Sequence, residues 1–134
     1  MNHPILLAYD GTDPADHAFQ TALDMARQRA SKLYVLTVVW APEAETHVMH
    51  DKLRVISWAR MKPLRERAAA VGVELDIEVV DGITAPTIVE VATRLEADPI
   101  VMGHRHRNLL QRCMELSTAK RVIDRAPCTV MVVP

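Results

Sequence analysis

Two short stretches of this 134-residue chain carry the residue types best suited to holding an anion. The first is an apolar run that ends at Gly103 and opens into a basic loop, Ile100-Val-Met-Gly-His-Arg-His-Arg107. The second is Leu116-Ser-Thr-Ala-Lys120, which is a small polar start to a helix. Parallel sheets hold phosphates in this way, because the N–H groups at a helix N-terminus after a glycine-bearing loop point at the ligand. The two stretches therefore predict a phosphate-binding or nucleotide-binding loop.

An acidic loop lies near the start of the chain. Residues 1–20 contain Asp10, Asp13 and Asp16 and no lysine or arginine, whereas residues 103–125 contain five arginines and one lysine against two acids. If the fold brings the acidic and basic loops together, they form a polar cleft.

Other candidate sites carry weaker signals. His47, His50 and Asp51 have helical spacing that can hold a metal, but no cysteine or third clear ligand accompanies them, so we expect no metal there. No catalytic nucleophile and base can be paired from their spacing. Cys113 and Cys128 are expected to be packed as small apolar residues without a disulfide, which is typical of a reducing cytoplasm.

Short apolar runs alternate with long helical stripes along the whole chain, which predicts five strands and four helices. In α1 we expect Asp13 as the N-cap and Pro14 at the first helical position. In α2, Pro63 should bend or break the helix, and Gly72 should follow its end. The α2 residues expected on one inward side are Leu53, Ile56, Trp58, Met61, Leu64 and Ala68. The predicted strands are residues 4–9, 33–40, 73–80, 98–102 and 128–133.

Strands separated by helices pair in parallel through right-handed crossovers, so the pattern predicts an open three-layer α/β sandwich in one domain, residues 1–134. With strand order 3-2-1-4-5, the order reverses between strands 1 and 4, where such sheets bind ligands. That order places Asp10 beside Gly103.

The composition excludes several classes of protein. Apolar residues make up 49%, charged residues 25% and aromatic residues 4%, with a net charge of −1. These values are typical of a soluble globular protein rather than a nucleic-acid binder. The apolar runs are too short to cross a bilayer, and no signal peptide is evident. We therefore expect a cytoplasmic protein with neither nucleic-acid nor membrane partners.

The chain resembles the universal stress protein family. The resemblance is carried, in order, by Ile5-Leu-Leu-Ala-Tyr-Asp-Gly-Thr12, Leu36-Thr-Val-Val39, Asp98-Pro-Ile-Val-Met-Gly103, Ser117-Thr-Ala-Lys-Arg-Val122 and Ala126-Pro-Cys-Thr-Val-Met-Val-Val133. It implies the Rossmann-like, adenine nucleotide hydrolase-like parallel fold, a cytoplasmic location and homodimers that pair through the last strand, residues 128–133. It also implies ATP or another adenine nucleotide, with Mg²⁺, as a candidate ligand, because some members of the family bind ATP.

The resemblance also assigns candidate nucleotide contacts. Asp10 corresponds to an acid near the ribose and the metal–phosphate region, and Val38 to the backbone that reads the adenine edge. Ser117 and Thr118 occupy the place where amides and a hydroxyl hold the terminal phosphates. The remaining residues that we place around the nucleotide are Ala8, Tyr9, Met102, Gly103, Arg105 and His106.

Two positions depart from the pattern of the ATP binders, which is Gly-x-x-Gly, nine residues, then Gly-Ser or Gly-Thr. Gly103 and Ser117 match it, but His106 and Leu116 replace its second and third glycines. The leading hypothesis is therefore a stress-response binding or regulatory protein with a degenerate adenine-nucleotide cleft. Two alternatives remain open: a slow metal-dependent ATP hydrolase that uses Asp10, and a dimeric scaffold that binds no nucleotide.

Overall fold

The computed structural model describes residues 2–40, 47–104 and 118–134. These residues form one sheet with the order β3-β2-β1-β4-β5, in which every neighbouring pair is parallel. The strands are β1 (Ile5–Ala8), β2 (Leu33–Val39), β3 (Leu75–Asp81), β4 (Ile100–Gly103) and β5 (Val130–Val133). The predicted three-layer sandwich and its strand order are confirmed.

Helices cover both faces of the sheet. They are α1 (Asp13–Arg29), α2 (His47–Ala70), α3 (Thr84–Leu95) and the helical residues 118–125, which we call α4. Buried residues of α1 and α2 share one core cluster with Ile5, Leu7 and Val35, whereas those of α3 and α4 share a second cluster with Leu6 and Leu36. Because successive strand residues point to opposite faces, β1 contributes alternately to the two cores. Both faces of β1 are dry, which explains its continuous apolar sequence.

The point of reversal lies at β1. Its residue Ala8 pairs with Leu36 of β2 on one side and with Met102 of β4 on the other. The crossover from β1 to β2 runs through α1 on one face of the sheet, whereas the crossover from β3 to β4 runs through α3 on the other face. The connections therefore diverge at the carboxyl ends of β1 and β4. We call the space there the switch crevice, bordered by Tyr9, Asp10, Met102 and Gly103.

The predicted start of α1 was one residue too late. Thr12, not Asp13, is the N-cap: its backbone is extended and its Oγ1 accepts a hydrogen bond from the Ala15 N–H at 3.4 Å. Asp13 lies within the first turn, where a negative charge favours the helix dipole. Threonine and aspartate are both good caps, and the position of the proline did not distinguish them.

The predicted inward side of α2 was only half right. Met61, Leu64 and Ala68 are buried, but Leu53, Ile56 and Trp58 are 37%, 47% and 41% exposed. The helix also continues through Pro63 without a break.

The remaining boundaries agree closely with the sequence. Gly72 follows α2 with a φ of +77°, which is a left-handed conformation that favours glycine. The last strand begins at Val130, two residues later than expected. Within the described ranges, no helix is both long and apolar enough to span a bilayer.

Candidate binding site

The switch crevice begins with an acidic turn directly after β1. The Asp10 Oδ1 accepts hydrogen bonds from the Thr12 N–H at 3.0 Å and from the Thr12 hydroxyl at 2.5 Å. The turn requires Gly11 to adopt a φ of +81°, which side chains rarely tolerate. Asp10 itself is exposed. The turn thus fixes one carboxylate oxygen and holds the group at the solvent-facing rim.

Tyr9, by contrast, turns its side chain into the core. It is 8% exposed, and its hydroxyl donates a 2.5 Å hydrogen bond to Asp16 Oδ1 on α1. Burial, this hydrogen bond and the negative charges of Asp16 and Asp10 raise the pKa of Tyr9, although Arg60 lowers it in part. The Tyr9 side chain therefore fastens β1 to α1, and only its backbone borders the crevice.

Arg60 of α2 lies over the acidic turn. A Cβ atom built on Gly11 would be 3.0 Å from Arg60 Cδ and 3.1 Å from Arg60 Nη1. The absence of a side chain at Gly11 therefore makes room for the guanidinium group. This cation partly offsets the negative charge that Asp10 and its neighbours place at the crevice.

The end of β2 forms a second wall. The Tyr9 N–H donates to the Leu36 carbonyl at 2.8 Å, and the Gly82 N–H donates to the Val39 carbonyl at 3.1 Å. Alternate residues of a strand direct their backbone groups toward opposite neighbours, so Leu36 and Val38 face the β1 side while Val39 faces β3. Val38 lies beyond the end of β1. Its N–H and carbonyl groups therefore point toward the crevice.

A hydroxyl group ties these two walls together. Thr37 Oγ1 donates to the Tyr9 carbonyl at 2.7 Å and lies 3.2 Å from Met61 Sδ. This hydroxyl group therefore links the carboxyl ends of β1 and β2 to the middle of α2.

Gly103 is required at the end of β4 for a reason that the sequence did not suggest. A Cβ atom there would lie 2.6 Å and 2.7 Å from the Pro14 carbonyl carbon and oxygen, and 2.8 Å from the Ala15 nitrogen. No real Cβ approaches backbone atoms so closely. Gly103 is therefore required because the first turn of α1 packs directly on the end of β4.

The remaining candidate residues are placed as follows. Ala8 is half-buried at the end of β1, and Met102 is 7% exposed with its side chain in the core beneath α3 and α4. Thr118 is half-buried at the first described position of α4. Arg105, His106, Leu116, Ser117 and Cys113 lie outside the described residues.

Sequence reasoning missed Arg60, Thr12 and Thr37 as parts of this site. Thr12 had a local signal, since a threonine before a proline-containing first turn is a common cap. Arg60 and Thr37 had no such local signal, because their roles depend on where α2 lies along the sheet.

Two further observations bear on metals and charge. Among residues 2–40, 47–104 and 118–134, no group of three or more His, Cys, Asp and Glu side chains could hold a metal ion. At the neighbouring end of β3, Arg54 of α2 forms a 3.1 Å ion pair with Asp81 and donates to the Val79 carbonyl at 3.2 Å. Arg54 therefore anchors α2 to the carboxyl end of β3, and Arg60 lies against the turn that follows β1.

The whole chain matches the model of the universal stress protein family, over residues 1–134. A curated relative, universal stress protein Sll1654 of Synechocystis, is 33% identical over an alignment that covers 100% of this chain and 87% of the relative. Among solved structures, universal stress protein UspA from Lactobacillus plantarum is 28% identical, with a TM-score of 0.81 over 98% of this chain and 97% of that one.

Two more distant structures share the fold and are complexes with nucleotides. A universal stress protein in complex with cAMP is 21% identical, with a TM-score of 0.79 over 98% of this chain and 97% of that chain. A universal stress protein from Archaeoglobus fulgidus in complex with dAMP is 22% identical, with a TM-score of 0.73 over 99% of this chain and 98% of that chain. The family model matches the chain along its full length, and a relative that is 33% identical aligns with all of it, so the chain belongs to the universal stress protein family.

Proposed function

We propose that this protein binds an adenine nucleotide in the switch crevice and acts as a regulatory binding protein in the stress response. The observation that carries the proposal is that two groups lie at the same edge of the sheet, at the point of strand reversal. They are the exposed Asp10 carboxylate, directly after β1, and the Val38 backbone at the end of β2, which faces the β1 side. A carboxylate accepts hydrogen bonds from ribose hydroxyls, and a strand backbone can pair with an adenine edge. The similar proteins described as complexes with cAMP and dAMP support an adenine ligand.

The preferred ligand in this proposal carries a single phosphate. Both cAMP and dAMP contain adenine and one phosphate group. His106 and Leu116 replace the glycines that the ATP-binding pattern places in the loop around the terminal phosphates. Glycine allows a close approach of backbone N–H groups to phosphate that larger residues hinder. The β- and γ-phosphates of ATP therefore add little to the binding free energy in this crevice.

Mg²⁺, in this account, accompanies a polyphosphate rather than residing in the protein. Asp10 is the exposed carboxylate suited to contact it, and one of its oxygens already accepts two hydrogen bonds from Thr12. We therefore expect nucleotide binding without turnover, and we expect little effect of Mg²⁺ on the binding of AMP.

Isothermal titration calorimetry with adenosine, AMP and ATP tests the proposal. We expect saturable binding of AMP, weaker binding of adenosine, and no gain in affinity from AMP to ATP. The double substitution His106→Gly with Leu116→Gly should raise the affinity for ATP and leave that for AMP unchanged. An absence of binding by all three ligands would leave the scaffold alternative. Release of phosphate from ATP that Asp10→Ala abolishes would instead support the hydrolase.

We also propose that the protein is a homodimer that pairs through β5 and the residues before it, 128–133. β5 is an edge strand, and its residues Val130–Val133 are all half-buried and uncharged. The opposite edge, β3, carries Asp76 and Glu78, which discourage pairing with another strand. Val132→Lys should convert a dimer into a monomer in light scattering, whereas Asp76→Lys should not.

A further inference from the structure

An exposed tryptophan lies at the edge of the sheet that borders the switch crevice. Trp40 directly follows β2 and is 63% exposed, although tryptophan is on average a well-buried residue. The two tyrosines and the one phenylalanine of the chain are engaged in packing: Phe19 is buried, and Tyr9 and Tyr34 donate hydrogen bonds to carboxylates. The indole of Trp40 is thus a large flat surface that the core does not use.

The backbone directs Trp40 away from β3. The Leu36 carbonyl accepts from the first residue after β1, whereas the Val39 carbonyl accepts from the first residue after β3. In a planar trans peptide group the N–H points opposite to the carbonyl, so the Trp40 N–H points to the β1 side. Trp40 therefore continues the row of backbone groups that Val38 presents to the crevice.

The side chain of Trp40 starts on the same face of the sheet as that of Val38. Val39 belongs to the core cluster beneath α1 and α2, and Val38 packs against the cluster beneath α3 and α4. Because strand side chains alternate, the residue after Val39 is directed to the α3 and α4 face. The neighbour on the β3 side is Gly82, and the three atoms nearest to a Cβ built there all belong to Thr87. The indole therefore does not lie over the end of β3.

We propose that Trp40 stacks on the adenine ring of the nucleotide and thereby gives the crevice a preference for purine bases. This inference rests on the proposed function. A base whose edge pairs with the Val38 backbone lies close to the plane of the sheet, as an added strand would, and its flat faces are turned above and below that plane. The side chain two residues further on, which rises from one face, is placed to cover the base.

Stacking supplies an interaction that the other groups of the crevice do not. Asp10 is suited to ribose hydroxyls and the Val38 backbone to the edge of the base, and neither contacts the face of the base. An indole attracts a base through its π-face without any pattern of donors and acceptors. The two fused rings of a purine offer more surface to the indole than the single ring of a pyrimidine.

Tryptophan fluorescence tests the contact directly. In Trp58→Phe, Trp40 is the sole tryptophan, and we expect AMP to quench its emission over the concentrations at which calorimetry detects binding. Trp40→Phe is the matched control, because it leaves only Trp58. Trp58 is two residues from Arg60 and so on the opposite side of α2 from the group over Gly11. AMP should leave its emission unchanged.

Calorimetry measures what the contact contributes. Trp40→Ala should weaken the binding of AMP and of adenosine by about tenfold each, because both ligands lose the same stacking. Trp40→Phe should keep most of the affinity, and Trp58→Ala should change neither. Ribose 5-phosphate, which has no base, should bind Trp40→Ala as it binds the wild type.

The outcomes separate this inference from the proposed function. AMP binding that Trp40→Ala leaves unchanged, or that proceeds without quenching, would overturn the role of Trp40 and leave the proposed function standing. An equal loss for AMP and ribose 5-phosphate would also overturn it, since Trp40 would then shape the crevice rather than contact the base. If no adenine compound binds the wild type, the proposed function fails and this inference fails with it.

Discussion

The carboxyl ends of β1 and β4 meet at the same crevice but are held in place by different physical means. The β1 end is fixed by hydrogen bonds: Asp10 accepts from Thr12, and Tyr9 donates to Asp16. The β4 end is fixed by steric contact, since Gly103 lies against the backbone of Pro14 and Ala15.

This difference separates stability from binding. Hydrogen bonds at a solvent-facing turn can be exchanged for bonds to water or ligand at little cost. A backbone contact in a packed layer cannot be relaxed without moving a helix. We therefore expect substitutions at the β4 end and at the buried Tyr9 to act on folding, and substitutions at the exposed Asp10 to act on the ligand.

The largest effect should come from Gly103→Ala. The added methyl group overlaps the backbone of α1, and such overpacking costs about 3 kcal/mol in the free energy of unfolding. Urea denaturation measures the loss. Gly72→Ala is the control, because Gly72 has a positive φ but nothing within 4 Å of the added Cβ. If Gly103→Ala costs no more than Gly72→Ala, the steric account of the β4 end is wrong.

A smaller effect is expected from Tyr9→Phe. The substitution removes the hydrogen bond to Asp16 while leaving the ring in the core, and should cost about 1 kcal/mol of stability at neutral pH. Thermal or urea denaturation measures it. An unchanged stability would mean that the Tyr9–Asp16 bond does not fasten β1 to α1.

The advantage of the wild type over Tyr9→Phe should shrink in alkali. Burial raises the pKa of Tyr9 in the folded state, so the native protein keeps this proton while the unfolded chain loses it near pH 10. The stabilisation is complete below that pH and is lost as the pH rises through the folded pKa. Burial and the hydrogen bond to Glu78 also raise the pKa of Tyr34, to about 12, so both tyrosines should resist ionisation until unfolding. Tyrosinate absorbance that rises near pH 10 in folded protein would contradict this prediction.

The smallest effect on stability should come from Asp10→Asn. The amide oxygen can still accept from Thr12, so the free energy of unfolding should change by less than about 0.5 kcal/mol. The affinity for AMP should nevertheless fall by about fivefold, because a neutral acceptor binds ribose hydroxyls less strongly than a carboxylate. A stable variant with unchanged affinity would remove Asp10 from the ligand site.

The sequence predicted the sheet well because local patterns and general rules determine it. Apolar runs separated by helices imply parallel pairing, and the order 3-2-1-4-5 then places Asp10 near Gly103. Periodicity could not predict that the side chains of Leu53, Ile56 and Trp58 are exposed. The N-terminal half of α2 has apolar residues on both sides, and only the position of the helix on the sheet determines which side is buried.

The strand order that brings the ends of β1 and β4 together was predicted, but the physical reasons for individual residues there were not. Gly103 was expected to serve a phosphate-binding or nucleotide-binding loop, but the contact that requires it is with α1. Arg60 was missed because its place over Gly11, 49 residues away along the chain, arises from tertiary packing.

The most direct test of the nucleotide proposal is a titration of isotopically labelled protein with AMP, followed by the shifts of its backbone amide resonances. We expect the largest shifts to cluster at residues 9–12, 38–40 and 102–104, with smaller changes along β3. Shifts that cluster away from the carboxyl ends of β1 and β4, or no shifts at millimolar AMP, would contradict the assignment of this crevice as the ligand site.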